Sequence, residues 1–96
     1  MNTKRKGNRA EHRAMQLLEA AGYACTRAAA SLGVFDVVAI GPVDIRLVQV
    51  KCGDECRLRP IEREAIASFT APSNASKEVW KFYDRRREPV IERVQS

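Results

Sequence analysis

The stretch GVFDVVAIGPVDIRLVQVKCG, Gly33 to Gly53, constrains this chain more than any other. It holds two apolar, strand-like runs separated by Gly41-Pro42, a strong turn signal. Asp36 stands in the first run among Val34, Phe35, Val37, Val38 and Ile40, and Lys51 ends the second, after Val48, Gln49 and Val50. Charges embedded in such runs are costly to bury unless they are paired or bind a metal. Something elsewhere in the chain must compensate them.

From Asn8 to Ala21 apolar residues recur at helical spacing, at Ala10, Ala14, Leu17, Leu18 and Ala21, and Gly22 fits the position just past a helix end. Tyr23 to Ala28 reads as a short strand, Ala29 to Gly33 as a turn and Val34 to Ile40 as a second strand. Ile45 to Lys51 makes a third strand, with Ile45, Leu47, Gln49 and Lys51 on one face and Val48 and Val50 on the other. Pro60 fits the first position of a second helix running to about Ala71. After the loop APSNAS, Glu78–Tyr83 and Pro89–Val94 read as strands joined by the charged turn DRRRE. The expected order is therefore α-β-β-β-α-β-β in one domain, residues 1–96, with no internal repeat or linker.

The chain has 96 residues, a length that buries only a modest core, so help from a partner subunit is expected. No apolar run approaches the roughly 20 residues of a membrane helix. The basic start leads into no apolar segment, which argues against a secretory signal. Three cysteines, Cys25, Cys52 and Cys56, form no disulfide framework, so the expected location is the cytoplasm (a host's, for a viral protein). Their number and loose spacing argue against zinc. The net charge of +5 is concentrated at Lys4, Arg5 and Lys6, at Arg85, Arg86 and Arg87, and at Arg57, Arg59 and Arg63. Such clusters fit a polyanion partner; a solvated basic surface is the plainer alternative.

If the second and third strands pair, Asp36 and Gln49 approach each other at one end of the sheet, with Lys51 two residues further on the same face. A carboxylate, an amide oxygen and a backbone carbonyl make a hard-oxygen pocket suited to Mg²⁺. A lysine beside it can offset phosphate charge or help activate a water. Glu11 shares a helix face with Ala14, Leu18 and Gly22, so a helix packed on the sheet could deliver a second carboxylate. Taken singly, each residue has an ordinary structural role: Glu11 solvated, Asp36 capped at a strand end, Lys51 snorkelling, Ser31 in a turn. Their order along the chain favours a site.

These residues resemble the PD-(D/E)XK nucleases, and within them the archaeal-type Holliday junction resolvases. The resemblance rests on KGNRAEHRAMQLLEAAGYACTRAAAS, FDVVAI and VQVK and covers roughly the first half of the chain. It implies a restriction-endonuclease-like α/β fold, a small mixed sheet flanked by helices. It further implies that Glu11 is the helical metal-site glutamate, Ser31 the active-site serine, Asp36 a metal ligand and Lys51 the catalytic lysine. Two positions depart from the pattern. Phe35 stands in place of a proline that mainly shapes the chain. Gln49 stands in place of an acid, which removes one negative charge and should weaken metal affinity or sharpen the need for Glu11.

The resemblance implies a Mg²⁺-dependent endonuclease, with Mn²⁺ as a substitute, that cuts four-way DNA junctions as a homodimer. Glu11, Asp36, Gln49 and the Val50 carbonyl would hold the metal. Lys4, Arg5, Lys6, Arg9, His12, Arg13, Arg27, Arg57, Arg85, Arg86 and Arg87 would meet DNA backbone. Phe69, Trp80, Phe82 and Val90 are candidates for the dimer surface. The alternatives are a nicking or restriction-type nuclease on other DNA, a DNA-binding module that has lost catalysis, and a basic scaffold for RNA or protein.

Overall fold

The computed structural model describes residues 3–28 and 32–95. Its elements follow the expected order: α1 (Thr3–Ala20), β1 (Ala24–Arg27), β2 (Val37–Ile40), β3 (Ile45–Gly53), α2 (Pro60–Ser68), β4 (Ala75–Tyr83) and β5 (Val90–Arg93). The strands form one mixed sheet in sequence order. β3 and β4 run parallel, joined by the α2 crossover, and the other neighbours pair antiparallel.

Both faces of the sheet are covered, so the central segments of β3 and β4 bury residues on both sides. On one face Ala14 and Leu18 of α1 pack on Val37, Ala39, Val48 and Trp80. On the other, Ile66 of α2 packs with Phe35, Leu47, Val79 and Val94. Alternation along β3 and β4 sends Leu47 and Val79 to the α2 side, and Val48 and Trp80 to the α1 side. The Gly22 φ of +100° is one an L side chain rarely adopts, and it turns the chain from α1 into β1.

Several boundaries differ from those expected, each for a local reason. β2 begins at Val37 rather than Val34, because the Phe35 amide closes a turn onto the Leu32 carbonyl. Phe35 is instead a core residue, edge-on to Phe69 with ring centroids 5.1 Å apart. α2 stops at Ser68, where Lys77 Nζ donates to the Ala67 and Phe69 carbonyls and so satisfies acceptors at the helix end. β4 starts at Ala75, three residues before the expected Glu78. Ala75 and Ser76, expected in a loop, belong to the strand, and the charges that β4 buries are compensated inside the fold. Glu78, 1% exposed, accepts from Ser76 Oγ and Trp80 Nε1 and pairs with Arg46 and Arg93 on the flanking strands.

Of the residues expected at a dimer surface, Trp80 is buried in the α1-side core and Phe69, half-buried, packs against the α2-side core. Phe82 and Val90 are half-buried. Among the described residues no helix is long and apolar enough to cross a membrane.

Candidate functional site

Asp36 sits just before β2, where the ladder with β3 is closing. Its amide donates to the Val48 carbonyl at 2.8 Å, and its carboxylate Oδ2 accepts from the Val50 amide at 2.8 Å. Asp36 thus grips the two residues that flank Gln49. Its own carbonyl accepts from the Ala28 amide at 2.8 Å, which ties in the end of β1. The expected approach of Asp36 and Gln49 at one end of the sheet is present.

Gln49 is 8% exposed, and its Oε1 is buried with no hydrogen-bond partner. A buried amide oxygen left unpaired is costly, which makes Gln49 Oε1 a candidate to meet a ligand. The available donors here are a carboxylate, an amide oxygen and main-chain carbonyls, all hard oxygens that fit Mg²⁺ or Mn²⁺. Among the described residues no three Asp, Glu, His or Cys side chains converge on one metal position, so this donor set depends on the neutral oxygens.

Electrostatics ties the flanking residues to Asp36. Burial pushes the Asp36 carboxyl above its ordinary value; the Val50 hydrogen bond opposes this, the negative charge of Glu11 adds to it, and Lys51 and Arg27 oppose it. Glu11 on α1 is therefore within electrostatic reach, as its helix face required. Its Oε1 is held by Arg27 of β1, at 2.7 Å from Nη2 and 3.0 Å from Nε. Arg27 Nη2 also donates to Asn8 Oδ1 at 2.9 Å. The Arg27 guanidinium, expected to face DNA, is thus directed toward α1.

Lys51 Nζ lies 2.6 Å from Glu62 Oε2, in an ion pair with both side chains largely covered. Glu62 occupies the first turn of α2, and its Oε1 accepts from the Arg59 amide at 3.0 Å, a reciprocal helix-start contact. Burial would raise the Glu62 carboxyl, but hydrogen bonds from Lys51 and Arg59 outweigh it and hold it down at about 2. The sequence reading missed Glu62. The signal was there in Arg59-Pro60-x-Glu62, a helix start with an acid in its first turn, at the point where the chain returns from β3.

Ser31 lies outside the described residues, as do the side chains of Lys4, Arg5 and Lys6. Arg9, His12 and Arg13 are exposed on α1, and Arg57 is exposed after β3. Arg85, Arg86 and Arg87 are exposed in the β4–β5 turn, which the Asp84 amide ties to the Gly53 carbonyl at the end of β3. That turn therefore lies at the Lys51 end of β3. The third basic group is exposed but partly ion-paired, since Arg59 pairs with Glu62 and Arg63 with Glu92.

A family model described as archaeal Holliday junction resolvase (Hjc) matches residues 2–83 of the chain. Among solved structures, the chain is similar to Archaeoglobus fulgidus Hjc, a Holliday junction resolvase from an archaeal hyperthermophile. The TM-score is 0.74 at 25% sequence identity, over 93% of this chain and 73% of that one. No curated protein sequence matches the chain.

Proposed function

The chain belongs to the archaeal Holliday junction resolvase family, and from that premise we propose that it cleaves four-way DNA junctions by divalent-cation-dependent phosphodiester hydrolysis. The observation that carries this reading is the grip of Asp36 on the residues flanking the unpartnered Gln49 Oε1, with Lys51 beside them. Asp36, Gln49 and the Val50 carbonyl would hold Mg²⁺, with Mn²⁺ as a substitute, and Glu11 would add a second carboxylate on release from Arg27. The bound cation would supply a lowered water pKa and charge stabilisation on the phosphate oxygens.

The chain's own residues do the remaining work. The Lys51 ammonium donates to the attacking water or to a non-bridging phosphate oxygen and offsets charge as the phosphorus–oxygen bond breaks. Ser31 holds the substrate strand. Arg57 and the Arg85–Arg87 turn hold DNA backbone at the Lys51 end of β3, a contact that reads shape and charge rather than base sequence. The protein works inside the cell as a homodimer, because paired incisions in a two-fold substrate need two sites at fixed spacing.

The deciding experiment compares labelled four-way junction with linear duplex of the same sequence, with and without Mg²⁺. Paired cuts in the junction alone, only with the cation, are expected. Equal cutting of linear duplex would favour a nicking or restriction-type enzyme. Binding without cutting would favour a module that has lost catalysis, the reading that the Gln49 substitution supports.

A further inference from the structure

Lys51 has two carboxylates within electrostatic reach, Asp36 and Glu62, and it sits on Glu62 at 2.6 Å. The alternative pairing would be damaging. An ammonium on Asp36 would cancel the carboxylate charge of a site in which Gln49 offers only a neutral amide oxygen. Glu62 is well placed to prevent this. Its second oxygen is fixed by the Arg59 amide and by Arg59 Nε, so the first turn of α2 holds the carboxylate still.

We propose that Glu62 is a positioning residue: it is the counter-ion that draws Lys51 away from Asp36 and keeps the Asp36 and Gln49 oxygens open to a divalent cation. The inference rests on the reading of those two residues as cation ligands. It assigns a role to an acid on α2, outside the strand motif that carries the resemblance. It also gives a physical reason why a glutamine is tolerated in place of an acid: the Lys51 charge has a partner of its own.

The test is Mn²⁺ binding to the free protein, followed by calorimetry. It uses wild type, Glu62→Gln, Lys51→Met, the double variant, and Asp36→Asn as control. Glu62→Gln keeps an acceptor for the Arg59 amide, and circular dichroism checks the fold. Mn²⁺ affinity should fall about five- to tenfold in Glu62→Gln. With Lys51→Met in place, the same substitution should change affinity by less than about twofold, because the two residues act as one coupled pair. Glu62→Asp, which retains the charge, should recover most of the affinity. Unchanged binding in Glu62→Gln overturns the proposal. An equal loss with and without Lys51 also overturns it, since Glu62 would then act on the cation directly. If Asp36→Asn binds Mn²⁺ like wild type, the site reading itself fails and takes the proposal with it.

Discussion

The Asp36 carboxylate accepts a hydrogen bond from the Val50 amide at 2.8 Å, so one side chain both closes the β2–β3 ladder and presents an oxygen to the site. The two roles separate by substitution. Asp36→Asn keeps an acceptor for Val50 and should fold normally, while junction cleavage falls by at least about a hundredfold. Asp36→Ala should lose the same activity and in addition about 1 kcal/mol of stability, from the missing hydrogen bond. Urea unfolding beside a cleavage assay checks both. An Asp36→Asn protein that cuts within a few-fold of wild type would remove Asp36 from the chemistry.

The acids at the site give stability a pH dependence of two opposite signs. Asp36, raised chiefly by burial, has a folded value above the unfolded 3.8. Between the two values the folded protein binds the extra proton, so this contribution is present at low pH and lost as pH rises through the folded value. Glu62 is the reverse: held at about 2 against an unfolded 4.5, it contributes stability above 4.5 that is lost as pH falls toward 2. The acid-side decline of urea midpoints from pH 2 to 7 should therefore be shallower in Glu62→Gln, the remainder coming from groups such as Glu92, which Arg63 and Lys81 also hold below the ordinary value. Asp36→Asn should gain stability over wild type near neutrality and lose that advantage below pH 3.8. A Glu62→Gln profile parallel to wild type would contradict the Lys51–Glu62 pair.

The strand pairing around Gly41-Pro42 was legible because turn chemistry and apolar runs agree there. The charges at Asp36 and Lys51 stood out for the same reason: they break a pattern that is otherwise consistent. β4 begins three residues earlier than expected because APSNAS carries turn-type residues and Lys77 looks like a surface residue until the Ala67 and Phe69 carbonyls are brought beside it. Glu62 and the Glu11–Arg27 pair were hidden in the same way. Each is a pairing across 11 or 16 positions that spacing along one element cannot reveal.

Gln49 offers a test in which stability and function move apart. Its buried Oε1 lacks a partner, so Gln49→Met, similar in shape and without polar atoms, should leave stability unchanged or raise it by about 1 kcal/mol. Cleavage should drop and its Mg²⁺ requirement rise. Gln49→Glu should tighten cation binding and retain or raise activity. Identical Mg²⁺ titrations for wild type, Gln49→Met and Gln49→Glu would exclude Gln49 from the site. An inactive wild type revived by Gln49→Glu would instead support a DNA-binding module that has lost its acid.

The position of the β4–β5 turn makes the last prediction a quantitative one. Arg85, Arg86 and Arg87 are exposed, and the turn that carries them is tied to Gly53 through the Asp84 amide. Gly53 lies two residues beyond Lys51 on the same strand, so DNA backbone bound by this turn passes the site. Each phosphate neutralised on duplex DNA releases counterions and contributes about −0.9 to the slope of log affinity against log salt. Replacing all three arginines by alanine should weaken junction binding and flatten that slope by about one unit for each phosphate no longer neutralised. Mn²⁺ affinity should not change, because none of the three touches Asp36, Gln49 or Lys51. In a homodimer the turn occurs twice, so the slope should flatten by about twice the change per subunit, and sedimentation at micromolar concentration should report a dimer. A slope unchanged by the triple substitution would take the turn out of the DNA interface. A monomer that makes both incisions in one binding event would refute the dimer.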